Sequence, residues 1–261
     1  MMWVGWTQLA LLTGARKDLD VLAAMLGQMK FTWAEADATV SVAEKCWPGL
    51  TRRGVCTSET EDATGFMCAE YVAWASKCAW VLVAAEPGVS VDEVMASLPT
   101  PSQLAVFYRG GYKNSITGTM GWGSLVELVA LVCEKFGRYE EALVYCEGCI
   151  SHDYTQLGTL SSYTHVMGYR LKGRCLVQLG RLEEAAVAFE AAVTLGAEVG
   201  LHLHELLALA ELQSYVKQEK TGQMKLAVRK MLGPSPTAAQ LESLAMARLP
   251  PGVSLDVIMA G

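Results

Sequence analysis

Three residues in the middle of the chain have the spacing of half a metal site. Cys146 and Cys149 are separated by two residues, and His152 follows three residues later. Zinc is bound through thiolates and imidazole nitrogens, but a structural site needs a second pair of ligands. No other segment supplies such a pair at short spacing. Because both cysteines also fit the small, buried positions of a helix, core packing is the favoured interpretation, and we expect no metal or other cofactor.

Two arginines could bind an anionic group together. Arg170 and Arg174 are four residues apart, which places them side by side on one face of a helix. Both guanidinium groups can then reach one carboxylate or phosphate of a ligand. The alternative is that each arginine meets only solvent or a neighbouring acidic side chain.

The other residues able to do chemistry match no catalytic motif. His202 and His204 are two residues apart and therefore lie on different sides of a helix. The glycines between Gly118 and Gly123 precede a predicted helix, but neither Lys-Ser nor Lys-Thr follows them, as nucleotide binding would require. The chain has no Gly-x-Ser-x-Gly motif either. We therefore expect no enzymatic activity and name no catalytic residue.

The composition indicates a folded chain that does not bind nucleic acid. Of the 261 residues, 52% are hydrophobic and 18% are charged, which excludes a disordered chain. The 21 basic and 27 acidic residues give a net charge of −6, whereas binding to phosphates requires a basic surface.

Membrane insertion and secretion are not expected. The most apolar segment, residues 66–85, contains Glu70 and Lys77, and a charge near the bilayer centre is costly. No Lys or Arg precedes the first apolar stretch, so the positive end of a secretory signal is missing. The eight cysteines lie mostly in apolar helical patterns. Reduced thiols and a cytoplasmic location are the expectation.

A seven-residue pattern recurs in the second half of the chain at a nearly constant interval. It reads Gly-Arg-Tyr-Glu-Glu-Ala-Leu from Gly137 and Gly-Arg-Leu-Glu-Glu-Ala-Ala from Gly180, and it returns more faintly from Gly222. The three glycines are 43 and 42 residues apart. An apolar run with helical spacing lies on each side of the glycine, so each copy predicts a helical hairpin whose first helix ends at the glycine.

The middle copy resembles the tetratricopeptide repeat family. The residues that match the signature positions of the family are Tyr169, Gly173, Leu179, Gly180, Ala185, Phe189 and Ala192. Lys172 stands where leucine is usual, Ala197 stands where proline closes the repeat, and the period is eight or nine residues longer than the usual 34. Longer helices, or an insertion in residues 151–162, would absorb the excess. The resemblance covers residues 123–232 and implies an all-α solenoid of helical hairpins.

In this family the first helix of each hairpin lines a concave groove that binds a peptide or a partner helix. The positions that the resemblance implies for the groove, here called the groove positions, are Glu127, Leu131, Glu134, Met167, Arg170, Leu171, Arg174 and Gln178. The resemblance thus implies a non-catalytic protein interaction scaffold whose partner is another protein or a peptide. Relatives that bind the C-terminal carboxylate of chaperones use Lys and Asn where this chain has Glu127 and Leu131, so that partner is disfavoured.

The chain is expected to contain four segments. Residues 1–108 form an N-terminal helical region, which includes a degenerate repeat in one interpretation, and residues 109–123 form a glycine-rich connection. The helical hairpins follow in residues 124–232, and residues 233–261 form a helical tail. Residues 87–96 recur as residues 251–260, and each copy has a serine at the start of a predicted helix, Ser90 and Ser254. This echo suggests a larger duplicated unit.

Two other functions stay open. An incomplete array of repeats exposes an apolar end, so the chain could assemble with itself through that end. A helical enzyme or metal-supported domain centred on Cys146 and Cys149 is the other alternative.

Overall fold

The computed structural model describes residues 78, 81–82, 90–101, 116–151, 159–245 and 249–260, and all regular structure in these ranges is α-helical. The helices, in chain order, are α1 (Val91–Ser97), α2 (Ile116–Lys135), α3 (Tyr139–Ser151), α4 (Thr159–Gln178), α5 (Leu182–Glu198), α6 (His202–Tyr215), α7 (Thr221–Leu232), α8 (Ala238–Ala245) and α9 (Leu255–Ala260). The all-α class is confirmed for these ranges, whereas the predicted N-terminal repeat lies outside them. No helix within them is long and apolar enough to cross a membrane.

The chain divides into two compact units between Gly148 and Cys149. The first contains α1, α2 and most of α3, and the second contains α4 to α9. In the second unit α5 packs against both α4 and α6, α6 packs against α7, and α7 packs against α9. The helices α4 and α6 also contact each other. Consecutive helices therefore pack in sequence, as short connections between helices favour.

The turns after α2 and α4 have the same geometry. Gly137 and Gly180 have positive φ angles of 70° and 74°, which glycine adopts without steric cost. In each turn the N–H of the following arginine donates to the carbonyl five residues before it, at 2.8 Å for Arg138 and 2.9 Å for Arg181. This bond is typical of the Schellman motif that ends helices. The prediction that these glycines end the first helices is confirmed.

The second helices of these two hairpins also begin alike. Nε of Arg138 donates to Oε1 of Glu141, and Nε of Arg181 donates to Oε1 of Glu184, both at 2.7 Å. One residue after each glutamate, an alanine is fully buried. The repeated sequence therefore specifies a repeated turn, an exposed ion pair and a small residue in the core.

The third copy differs from the other two. Gly222 is the second residue of α7 and has no positive φ angle, so the prediction that it ends a helix is wrong. The left-handed residues nearby are Gly200, after α5, and Lys217, after α6. The turn after α6 is longer, and Oε1 of Gln213 accepts the backbone N–H of Lys220 at 3.0 Å. A side chain thus stabilises a turn that glycine stabilises in the first two copies.

Helix α2 starts earlier than the sequence indicates. It begins at Ile116, so residues 116–123 of the predicted connection are helical. A glycine costs about 1 kcal/mol relative to alanine inside a helix. The buried apolar run that starts at Leu125 offsets this cost by packing. Both α2 and α4 span 20 residues, and this length accounts for part of the long repeat period.

The two similar segments near the ends of the described chain adopt the same local structure. Oγ of Ser90 accepts the N–H of Glu93 at 3.1 Å, and Oγ of Ser254 accepts the N–H of Val257 at 3.3 Å. Each serine thus caps a short helix, as predicted from the sequence. The fully buried residues of these helices, Val94 and Ile258, are equivalent positions in the two segments.

At Gly173 the ring of Phe189 from α5 packs against the backbone of α4. A Cβ atom on Gly173 would lie 2.4 Å from Cε1 of Phe189, which is fully buried. The ring lies over the glycine of the preceding helix, where the missing side chain leaves room.

Candidate functional site

The groove positions divide into two groups by burial. The buried members are Glu127, Met167, Arg170 and Leu171, and the half-buried or exposed members are Leu131, Glu134, Arg174 and Gln178. The accessible members lie toward the C-terminal ends of α2 and α4, whereas the buried members precede or adjoin them along each helix. The structure therefore places part of the predicted set inside each unit and part at its surface.

Arg170 lies inside the second unit, where it forms an ion pair with Glu211 of α6. Both side chains are only 5% exposed. Nε and Nη2 of Arg170 donate to Oε2 and Oε1 of Glu211 at 2.9 and 2.8 Å, so the contact is bidentate. Such pairs combine charge with fixed geometry. This ion pair therefore joins α4 directly to α6.

Arg174 contacts the same carboxylate from the next turn of α4. Its Nη1 lies 3.3 Å from Oε1 of Glu211, and its side chain is 22% exposed. The spacing of four residues thus does direct both arginines to one carboxylate, as predicted, but that carboxylate belongs to α6. The acidic neighbour was the alternative interpretation of these two residues.

His204 completes this group, and we call Arg170, Arg174, His204 and Glu211 the charged cluster. Nη1 of Arg170 lies 3.3 Å from Nδ1 of His204, and the ring of Tyr163 meets the imidazole edge to face at 5.1 Å between centroids. Burial, and then the charge of Arg170, lower the pKa of His204 to about 3. Because arginine can only donate, Nδ1 must accept this bond. His204 is therefore neutral near pH 7 and unsuited to general acid–base catalysis there.

The low pKa of His204 predicts a loss of stability in mild acid. The unfolded chain binds a proton on this residue below about pH 6.5, whereas the folded protein does not until about pH 3. Between pH 7 and 5 we expect His204 alone to lower the free energy of unfolding by about 2 kcal/mol. Urea denaturation at several pH values measures this loss. In the variant His204→Gln the free energy of unfolding should depend less steeply on pH. If its pH dependence equals that of the unchanged protein, the ring of His204 is not neutral and buried.

A second buried carboxylate joins α6 to α7. Oε1 of Glu205 accepts from Nζ of Lys230 at 2.9 Å, and Oε2 lies 2.8 Å from Nδ1 of His202. His202 and His204 thus lie on different sides of α6, as their spacing predicted. The two histidines act in separate polar groups, and the sequence His-Leu-His-Glu is not one site.

Cys146 and Cys149 are both buried in α3. His152, the third member of the possible metal site, lies outside the described residues. Within the ranges that the structure describes, no group of three or more His, Cys, Asp or Glu side chains could hold a metal ion. The position of the two thiols agrees with the core-packing interpretation.

Comparison with known proteins identifies no relative of this chain. No protein-family model matches the chain, and no curated protein or solved structure matches it.

Glu211 belongs to no motif and is not one of the groove positions. The sequence nevertheless contains one indication that Glu211 is buried and paired. It directly follows the apolar run Leu206–Ala210, and a charged residue at the end of such a run is expected to have a buried partner. Glu211 also lies 41 residues after Arg170, close to the repeat interval. The contact between Arg170 and Glu211 joins α4 to α6.

Proposed function

We propose that this chain is a non-catalytic interaction module that binds a peptide or helix of another protein along the first helices of its hairpins. In this proposal α4–α5 and α6–α7 are successive units of a tetratricopeptide-like solenoid. The observation that carries the proposal is that α4 contacts α6 while α5 packs against both. In a stack of hairpins this arrangement gathers the first helices on one side. The accessible part of that side is the C-terminal end of α4, because residues 204–212 of α6 are buried.

Arg174 and Gln178 are the residues of α4 that we assign to partner contact. Both have accessible side chains, and Val177 between them is half-buried. The buried Met167, Arg170 and Leu171 support this surface from within. A cationic and amide surface with an apolar component fits a peptide that presents a carboxylate beside an apolar side chain. Leu131 and Glu134 occupy the corresponding end of α2 and are assigned the same role there.

Partner binding should depend on Arg174 and Gln178 but not on equivalent residues elsewhere. We expect the double variant Arg174→Gln/Gln178→Glu to bind its partner about tenfold more weakly, as the loss of one central polar contact predicts. The measurement is photo-crosslinking from position 178 in the native cells to identify the partner, followed by titration with the purified partner. Arg174→Gln leaves an amide that can still donate to Glu211, which limits any effect on folding.

The matched control is Arg181→Gln/Gln223→Glu. Both residues are exposed, one directly before α5 and one on α7, and the composition changes identically. This control should bind the partner as the unchanged protein does. Equal binding by both double variants would reject a docking face on the first helices, whereas weakened binding by the control alone would move the partner to the second helices.

A further inference from the structure

The outer faces of α3 and α5 carry the same exposed pattern. On α5 it consists of Glu183, Val187, Glu190 and Thr194, which we call the acidic stripe. On α3 the residues 43 positions earlier are Glu140, Val144, Glu147 and Ser151, and they are exposed as well. The valines are 68% and 51% exposed. Spacings of four, three and four residues align each set along one side of its helix.

The acidic stripe combines an exposed apolar side chain with carboxylates that form no ion pair within the described ranges. Val187 is the most exposed large hydrophobic residue in the described part of the chain. Neither Glu183 nor Glu190 has an ion-pair partner there, although Arg138 and Arg181 pair with nearby glutamates. The apolar side chain and the two carboxylates beside it are therefore accessible to a second molecule.

The outer face of α7 is complementary in charge. Leu226 is 54% exposed at its centre. Arg229 is exposed and Lys225 is partly exposed, and neither forms an ion pair within the described ranges. Lys225 and Arg229 are four residues apart and lie together beside Leu226. We call Lys225, Leu226 and Arg229 the basic face.

We propose that the acidic stripe of one molecule docks on the basic face of a second copy of the same chain. Val187 packs against Leu226 of the other copy. On each helix the two charged residues lie on the same side of the apolar residue, so an antiparallel arrangement brings the charges together. With 1.5 Å of rise per residue, Glu183 then lies opposite Arg229 and Glu190 lies nearest Lys225.

The contact joins two different surfaces and is therefore heterologous. Each molecule retains one acidic stripe and one basic face after the first contact, so pairs can extend into longer assemblies. A contact between single helices is small, and we expect an association that is weak and concentration-dependent. Its exposed charges should make it weaker at high ionic strength.

Charge reversal tests the pairing directly. Sedimentation velocity across a concentration series compares the full chain with Glu183→Arg/Glu190→Lys, with Lys225→Glu/Arg229→Glu, and with the combination of all four changes. We expect either double variant alone to associate at least about tenfold more weakly, because like charges would then face each other. The combined variant and an equimolar mixture of the two double variants should both regain association.

Three results would overturn the proposal. In the first, the unchanged protein stays monomeric throughout the series. In the second, the double variants associate as the unchanged protein does. In the third, the combined variant has native circular dichroism but does not regain association. The second result would assign association to another surface, such as an exposed end of the helical array. The variant Arg174→Gln/Gln178→Glu should associate normally, so this test is separate from that of the proposed function.

Discussion

Glu211→Ala is expected to lower the free energy of unfolding by about 3–5 kcal/mol, the usual effect of removing one partner of a buried ion pair. The change leaves the guanidinium of Arg170 buried without the carboxylate that accepts two of its hydrogen bonds. It also removes the contact of Arg174 with Oε1 of the same carboxylate. Urea denaturation of the purified chain, followed by circular dichroism, measures the effect.

Two further variants separate loss of the ion pair from loss of volume. Arg170→Met/Glu211→Leu replaces both partners with apolar side chains, and it should recover most of the stability lost in Glu211→Ala because no buried charge is left unpaired. Glu183→Ala removes an exposed glutamate without an ion-pair partner in the described chain and should stay within about 0.5 kcal/mol of the unchanged protein. A cost below about 1 kcal/mol for Glu211→Ala would show that water reaches the pair.

This prediction also determines which residues can test partner binding. A charge reversal at Arg170 would place two carboxylates together inside the unit and would reduce binding by unfolding the protein. Arg174 and Gln178 are accessible, so their replacement changes the surface with a smaller effect on the core. A binding defect at these two positions is informative only if the unfolding midpoint is unchanged.

The local elements of the fold could be predicted from the sequence because their causes are local. Gly137 and Gly180 each supply a positive φ angle at a helix end. Ser90 and Ser254 each cap a helix, because the serine hydroxyl accepts the backbone N–H of the residue three positions later. Gly222 shows the limit of this reasoning. It occupies the same place in the repeated pattern, but the turn before it is stabilised by the side chain of Gln213.

The candidate site could be predicted only in part, because its contacts join residues that are distant in the chain. Helical spacing alone placed Arg170 and Arg174 on one face. Which of the two is enclosed depends on where α6 lies, and that position follows from packing around α5. Glu211 then contacts both arginines across 41 and 37 residues. The spacing of residues within one helix therefore could not predict which arginine is buried or which carboxylate pairs with it.

Phe189→Ala is expected to lower the free energy of unfolding by about 3–5 kcal/mol, as for other fully buried aromatic residues. The ring lies against the backbone of α4 at Gly173, so its removal leaves a cavity between the two helices of one hairpin. Thermal and urea denaturation both measure this loss. Val187→Ala, on the exposed side of α5, is the control and should change stability by less than about 0.5 kcal/mol.

The effect of Gly173→Ala should reverse its sign with the size of the residue at position 189. In the unchanged protein the new Cβ would lie 2.4 Å from the ring of Phe189, and overpacking of this kind costs about 1–3 kcal/mol. In the Phe189→Ala background the space is vacant, and alanine should gain up to about 1 kcal/mol over glycine from helix propensity alone. Gly222→Ala, in the first turn of α7 with no atom near the new Cβ, should have the same small effect in either background. Equal effects of Gly173→Ala in both backgrounds would mean that α4 and α5 are farther apart than the structure places them.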